Sequence, residues 1–296
     1  MKRVLNTLAL LTIVLSVSAQ LLLTEGTVVY HEDFGGNDPS DPRISTTPVP
    51  GMSHQYSQLT NDVFLSMYSG AYLVTKSGYC NGDTAVGSQW RGAQWHIQDD
   101  HTYPGDYTRG YLLEIDGRGG NAPFYSTTIN GLTPGSALSF YAYVANVMTW
   151  YHTNVRYNAA KPNLRFVISD NDDNVIASYT TGPIDSDTIS KVVTPLPNAR
   201  GWNVSSKWHQ VGFTFKLPDG LTDIKLTIYN YVYDYGAGND FAIDDIYLVD
   251  ATISYEDIKQ YEGKTIVGKD SVCLGSTWFY EDVISTNPNI TIKIKH

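Results

Sequence analysis

The feature that most constrains this sequence is a series of short strand-like segments, each separated from the next by turn-forming residues. The segments combine alternating apolar residues with Tyr and Thr, whereas Gly, Asn, Asp and Pro fill the connections. No window carries a sustained apolar stripe with helical spacing, so helices are expected to be minor. The segments predicted as strands are 28–34, 71–76, 94–98, 110–116, 124–129, 136–145, 163–169, 175–180, 208–217, 224–230 and 241–249.

These strands recur about every 10–20 residues without a β-α-β rhythm, which predicts two packed antiparallel sheets. The predicted fold class is therefore all-β, an antiparallel two-sheet sandwich. The spacing is compatible with a jelly roll and with an immunoglobulin-like strand order. Residues 130–135 form a strong turn signal between two of the strands. Residues 38–70, rich in Pro, Ser, Thr and Gly, are predicted to form a long surface loop.

The N-terminus has the pattern of an export signal. Lys2 and Arg3 precede a mostly apolar stretch, and Val17-Ser18-Ala19 supplies a small-x-small cleavage site. The alternative is an uncleaved anchor, but a spanning helix needs about 20 predominantly apolar residues and polar residues interrupt this stretch. We therefore predict a signal peptide at 1–19 and a secreted or cell-surface location, with no transmembrane segment after cleavage.

The rest of the chain divides into a predicted sandwich domain, 20–250, and a C-terminal extension, 251–296. The extension is more charged at first and ends in an alternating segment. It is either a strand hairpin packed on the sandwich or the opening of a truncated immunoglobulin-like repeat. Cys80 and Cys273 could pair in an oxidising compartment, but two cysteines do not constitute a disulfide framework.

Charge excludes several classes of partner. The formal net charge is −10, and removal of Lys2 and Arg3 with the signal makes it about −12. Such a surface repels phosphate backbones and anionic lipids, so nucleic acid is not an expected partner. Unpaired acidic residues can instead serve as oxygen ligands for Ca²⁺. The sequence does not indicate an oligomeric state.

No catalytic motif was identified, so the chain is predicted not to be an enzyme. The sequence has no Gly-x-Ser-x-Gly, His-Glu-x-x-His or Gly-x-Gly-x-x-Gly. His96 and His101, near Asp99 and Asp100, could form a metal or acid–base cluster, but no nucleophile accompanies them and a polar loop is the alternative. A carboxylate pair for glycoside hydrolysis stays open, because the chain contains 30 acidic residues.

Four motifs carry a resemblance to a known family. They are Glu32–Gly35; Asp100-His101-Thr102 with Gly110–Leu113; Gly131–Gly135 with Leu138–Ala142; and Asn239–Ile246. In this order, across about residues 28–250, they resemble the MAM domains of animal surface receptors and the jelly-roll carbohydrate-binding modules. They are most similar to the secreted surface proteins of gut-type Bacteroidetes that carry such a module. The chain lacks the MAM cysteine pattern, which favours the bacterial group.

The resemblance implies a jelly roll whose first and last strands lie close together near a structural Ca²⁺. Strict alternation along 241–248 predicts that Asp244 shares a face with Ile246, while Asp245 lies on the opposite face with Tyr247. A carboxylate on an apolar face is costly unless it is paired or bound to metal. The alternative is that the acids cap turns or accept backbone N–H bonds. The predicted ligands are Glu32, Asp33, Asp100, Asp244 and Asp245.

Aromatic residues in or beside loops are the candidate ligand-binding groups. Aromatic faces stack on the apolar face of a sugar ring, while polar side chains bind its hydroxyls. The alternative is ordinary packing in the core or at a sheet edge. The predicted function is a non-catalytic module that binds a glycan or a host surface; the alternatives are a structural or assembly subunit and, third, a glycoside hydrolase. The predicted binding residues are Trp150, Tyr151, Trp202, Tyr231, Tyr233 and Tyr235.

The export signal gives a first testable prediction. The mature chain should begin at Gln20, because signal peptidase cleaves after a small-x-small pattern that follows a short apolar core. N-terminal sequencing of the exported protein measures this directly. Recovery of a chain that starts at Met1 in a membrane fraction would contradict the prediction.

Overall fold

The computed structural model describes residues 22–23, 26–60, 67–76, 95, 99–106, 108–148, 159–186, 207–233, 238–251, 271–274, 277–280 and 292–293. All regular secondary structure in these residues is β-strand. The described part of the chain contains no helix with the length and apolar character of a membrane span. The strands are β1 (Leu22–Leu23), β2 (Thr27–Glu32), β3 (Ser57–Gln58), β4 (Ala71–Thr75), β5 (Leu112–Ile115), β6 (Ala122–Ile129), β7 (Ala137–Asn146), β8 (Leu164–Ser169), β9 (Val175–Thr180), β10 (His209–Lys216), β11 (Ile224–Asn230), β12 (Phe241–Asp250), β13 (Ser271–Leu274), β14 (Thr277–Tyr280) and β15 (Ile292–Lys293).

Two sheets form the body of the protein. The larger has seven strands, in the order β10-β7-β12-β5-β4-β3, with β2 also paired to β12. The smaller has four strands, in the order β6-β11-β8-β9. All pairings are antiparallel except the short parallel pair of β3 and β4. The prediction of an all-β, antiparallel two-sheet sandwich is confirmed.

The core lies between the inner faces of the two sheets. Strand β8 shows the pattern: Leu164, Phe166 and Ile168 are fully buried, as period-two alternation requires for one inward face. Phe140 of the large sheet packs on Phe166 of the small sheet, with ring centroids 4.8 Å apart, and on Phe213 at 6.0 Å. These rings join the two sheets.

Strand β12 departs from strict alternation. Its pairing with β7 shifts register between Asp244 and Tyr247, and Asp245 adopts a positive φ of 48°. Ile243, before the shift, and Ile246, after it, therefore both face the main core. The expectation that Asp244 shares a face with Ile246 was wrong, because a β-bulge at the two aspartates resets the alternation.

Residues 38–70 are not confined to the surface. Ile44, Tyr56 and Met67 are buried. The Tyr56 ring contacts that of Phe124, with centroids 6.2 Å apart, and its hydroxyl accepts a hydrogen bond from the backbone of Arg118. Tyr56 belongs to the main core, while Ile44 and Met67 belong to a second hydrophobic cluster, which the turn-rich composition of the segment did not indicate.

The ends of the chain form small separate pairings. Strand β1 pairs with β15, and β13 with β14 forms a hairpin within the predicted extension. The predicted signal segment 1–19 and Cys80 lie outside the described residues, so the domain boundaries and the disulfide question stay predictions.

The packing of the core predicts how much stability is lost when one buried aromatic ring is removed. Phe140→Ala should lower the free energy of unfolding by about 3–5 kcal/mol, because it removes a fully buried aromatic ring at the junction of the sheets. Val175→Ala, at a position 59% exposed, should change it by less than about 0.5 kcal/mol. Urea denaturation of both variants measures the two values. Equal effects would contradict this assignment of the core.

Candidate functional site

The resemblance implied that the first and last strands of the sandwich are neighbours, and they are. Strand β2 pairs with β12, with Glu32 opposite Ile246 and His31 opposite Tyr247. The loop that carries Asp100 and His101 lies over the bulge in β12, because His101 N donates to Asp244 Oδ2 at 2.9 Å. Three of the five predicted acids, Asp100, Asp244 and Asp245, therefore meet in this region.

Asp245 lies at the centre of a polar network on the outer face of the large sheet. Its Oδ1 is 2.8 Å from His31 Nε2 and its Oδ2 is 2.6 Å from His101 Nδ1, while Thr102 Oγ1 donates to both oxygens. Burial alone would raise the pKa of Asp245, but hydrogen bonds from His101, His31 and Thr102 together outweigh burial and lower it. The carboxylate is thus held ionised.

The two histidines in this network are also held by aromatic rings. His31 stacks on Tyr247 with centroids 4.0 Å apart, and His101 stacks on Tyr143 at 3.4 Å. Each imidazole therefore has a fixed plane and one nitrogen committed to Asp245. This arrangement rigidifies the junction of β2, β12 and the His101 loop.

Asp100 and Asp244 form a carboxyl pair beneath this network. Both are buried and hydrogen-bonded to each other, and burial raises the pKa of both. Asp244 also accepts the N–H of Asp245 at 2.8 Å, and Asp100 accepts that of Tyr103 at 2.9 Å. Gly110 makes room for the pair: its φ is +73°, and a Cβ there would lie 2.2 Å from Asp100 Cγ.

Glu32 and Asp33 perform a more local role. Glu32 Oε1 accepts the N–H of Phe34 and Asp33 Oδ1 accepts that of Gly35, both at 3.0 Å, so they stabilise the turn after β2. Within the described residues, no three or more His, Cys, Asp or Glu side chains are arranged to hold a metal ion. Protein donors thus supply hydrogen bonds to these carboxylates, which is the alternative that the sequence left open. The calcium prediction for the five acids stays a prediction, and His96 lies outside the described residues.

A second candidate surface lies on the outer face of the small sheet. Because Ile224, Leu226 and Ile228 of β11 point into the core, the intervening side chains point outward. Tyr229 of β11 lies directly opposite Arg165 of β8, so the two share that outer face.

This outward row continues beyond the end of β11. The Arg165 guanidinium carbon lies 5.8 Å from the centroid of the Tyr231 ring, and the rings of Tyr231 and Tyr233 meet edge to face at 5.7 Å. Tyr233 is 67% exposed. We call Arg165, Tyr229, Tyr231 and Tyr233 the aromatic band.

A groove of about 340 Å³ begins where the aromatic band ends. Hydroxyl groups line it alongside apolar side chains; Ser126 Oγ and Thr227 Oγ1 lie 3.1 Å apart on its floor, and an ion pair of Lys225 and Asp173 at 2.9 Å borders it. From Lys225 to Tyr229 the strand covers about 14 Å. Its lining residues are Pro123, Ser126, Val167, Ser169, Asp173, Val175, Lys225, Thr227 and Tyr229.

The structure places two of the predicted binding residues, Tyr231 and Tyr233, in this band. Trp150, Tyr151, Trp202 and Tyr235 lie outside the described residues. Sequence reasoning missed Tyr229 and Arg165. The spacing of two that links Tyr231 to Tyr233 extends back to Tyr229 and was the available signal, whereas Arg165 is brought there by strand pairing alone.

No protein-family profile matches the chain, and no curated protein sequence matches it. Among solved structures, it is similar to a xylan-binding CBM22 domain from Paenibacillus barcinonensis, at 10% identity over 78% of this chain and 98% of that one, with a TM-score of 0.30. It is similar to a Stig cyclase from Fischerella sp. TAU, at 11% identity over 75% and 96%, with a TM-score of 0.44. It is also similar to the C-terminal CBM6 of a laminarinase from Zobellia galactanivorans, at 16% identity over 48% and 81%, with a TM-score of 0.23. At these values neither ligand nor activity is transferred to this chain.

The network around Asp245 predicts a pH-dependent contribution to stability. Asp245→Asn should lower the free energy of unfolding at pH 6 by about 1–3 kcal/mol, because it replaces a buried carboxylate that accepts several hydrogen bonds. Since the pKa of Asp245 is lowered in the folded state, this contribution is present above the ordinary carboxyl pKa and is lost as the pH falls through the lowered value. The difference between wild type and variant should therefore shrink in acid.

Urea denaturation of both proteins between pH 3 and pH 7 measures this difference. Asp173→Asn is the matched control, because Asp173 forms an exposed ion pair with Lys225 and its loss should cost less than about 1 kcal/mol. A constant difference across the pH range would contradict the role given to the Asp245 carboxylate.

Proposed function

We propose that this protein is an exported, non-catalytic glycan-binding module, and that the aromatic band and its groove form the binding surface. The observation that carries the proposal is the continuity of the two features. One outward face of the small sheet presents three tyrosine rings and a guanidinium, and it runs directly into an open groove.

The chemistry of this surface suits a carbohydrate chain. A sugar ring has an apolar face that stacks on aromatic rings and a rim of hydroxyls that need hydrogen-bond partners. The band supplies rings at one end, and the groove supplies Ser, Thr and Tyr hydroxyls alongside apolar side chains at the other. An elongated site of this kind fits an extended glycan better than a compact small molecule.

The non-catalytic part of the proposal has separate support. The sequence lacks the common hydrolase motifs, and neither an Asp nor a Glu pair lines the groove among the described residues. The Asp–His contacts lie on the other sheet, where stacked rings and hydrogen bonds give them a structural role. Export and a surface location rest on the N-terminal pattern.

One observation favours the alternative of an assembly subunit. Val28 and Val29, in strand β2, are 52% and 39% exposed, and β2 pairs along one side with β12. An exposed apolar strand at a sheet edge is a site for strand addition by another chain. Concentration-dependent self-association that Val28→Lys abolishes would support this alternative.

The glycan-binding proposal is tested with the mature chain on an array of plant, algal and animal glycans. Sugar sites of this kind bind with about micromolar to millimolar Kd, so a hit should be quantified by calorimetry. Tyr229→Ala and Tyr233→Ala should each weaken binding about three- to tenfold, because each removes one stacking ring. Neither should change the melting temperature much, since both rings face solvent at least in part.

Tyr68→Ala is the matched control, because Tyr68 is 53% exposed and lies outside the band. It should leave binding unchanged. Equal losses in all three variants, or none in the first two, would remove the band as the site. Hydrolysis of a bound polysaccharide by the wild type, lost on changing one acidic residue, would overturn the non-catalytic assignment.

A further inference from the structure

A second carboxyl pair, made of the buried Asp240 and the partly buried Asp116, lies apart from the acids that the sequence singled out. Asp116 follows β5 and Asp240 precedes β12, and the two side chains hydrogen-bond to each other. Asp240 is 5% exposed; its Oδ2 accepts Trp95 Nε1 at 3.0 Å, and its Oδ1 accepts Gly117 N at 3.3 Å. Two carboxyl groups are therefore held in contact within the protein.

Unpaired amide atoms lie near this pair. Asn239 is 2% exposed, and neither its Oδ1 nor its Nδ2 has a hydrogen-bond partner. Its amide lies against Gly117, the residue that follows Asp116 and donates to Asp240; a Cβ at Gly117 would lie 2.7 Å from Asn239 Nδ2. Asn230 is fully buried; its Nδ2 donates to Arg118 O at 3.0 Å, but its Oδ1 has no partner.

Asp116, Asp240 and Asn239 place two carboxyl groups and an unpaired amide oxygen close together. Most buried polar atoms in proteins are hydrogen-bonded, and an unpaired one costs about 1–3 kcal/mol. A cation would satisfy these oxygen atoms. Calcium takes about six to eight oxygen ligands, drawn from carboxylates, amide oxygens and backbone carbonyls, and its charge balances two carboxylates.

We propose that Asp116, Asp240 and Asn239 bind a calcium ion. The set differs from the five acids predicted from the sequence. It contains only two carboxylates, and the remaining side-chain oxygen comes from Asn239.

The site is also linked to the aromatic band. Gly120 N and Asn121 N both donate to Val232 O, between Tyr231 and Tyr233. A cation that fixes the Asp116 turn would thus hold this part of the band in place. That consequence rests on the proposed function, whereas the cation site itself does not.

The test is calcium titration of the mature chain after dialysis against a chelator, followed by calorimetry and by the melting temperature. Wild type should bind Ca²⁺ and melt at a higher temperature when calcium is added. Asp116→Asn and Asn239→Leu should each lower calcium affinity by about tenfold or more, since even indirect partners of a metal site contribute that much. Asn239→Leu preserves shape and charge, so it reports on the loss of the amide group.

Asp100→Asn is the matched control, because it alters the other buried carboxyl pair and should leave this binding intact. Terbium provides a second readout: excitation of Trp95, which touches Asp240, should sensitise bound Tb³⁺, and Ca²⁺ should displace it. Trp95→Phe should remove most of that emission. If Asp116→Asn does not fold, the terbium measurement on Asn239→Leu still tests the proposal.

Three results would overturn the proposal. They are absence of calcium binding by the wild type, unchanged affinity in both Asp116→Asn and Asn239→Leu, and loss of binding in Asp100→Asn alone. The last result would assign calcium to the acids near β2 instead. A failure to bind any glycan would leave the titration unaffected, so the two proposals fail independently.

Discussion

Strand β12 is the element on which the rest of the sandwich depends, because it pairs with three other strands along its length. Its first residues pair with β5, its last with β2, and most of it with β7. A strand with regular alternation could not place both Ile243 and Ile246 on the inner face, because they are three residues apart. The bulge at Asp244 and Asp245 solves this problem, and the hydrogen bonds to Asp245 compensate a positive φ that a non-glycine residue seldom adopts.

Much of the sandwich was predictable because strands obey a local rule. Segments such as 175–180 and 224–230 were predicted with the bounds that the structure shows, since alternation and flanking turn residues are both properties of neighbouring residues. The bulge in β12 was not predictable in this way. It depends on pairing with β7 and on a loop more than 140 residues away, which supplies the donors for Asp245. The prediction of a surface loop at residues 38–70 was wrong for the same reason: Tyr56 is buried by partners that are distant in sequence.

The candidate site shows the same division between local and distant information. Tyr231 and Tyr233 could be selected from their spacing, because a period of two places side chains on one side of a strand. Arg165 could not, since it reaches Tyr229 and Tyr231 through the pairing of β8 with β11. The acids were selected as one cluster of five, yet the structure separates them by geometry into a shared pair, a histidine-bound carboxylate and two turn caps. Composition indicates that carboxylates need compensation, but not which partner supplies it.

The two carboxyl pairs differ in how the hydrogen-bonding needs of their oxygens are met. Asp100 and Asp244 have backbone N–H donors for their remaining oxygens, so a shared proton completes that pair. Among the described residues, Asp240 accepts hydrogen bonds from Trp95 and Gly117, and the pair lies near amide oxygens that have no partner. The same residue type therefore occupies two different electrostatic situations: Asp244 lies within β12, whereas Asp240 lies just before it. The chain that follows Asp116 is hydrogen-bonded to Val232, between Tyr231 and Tyr233, so any group that completes the second pair acts on the segment that presents the aromatic band.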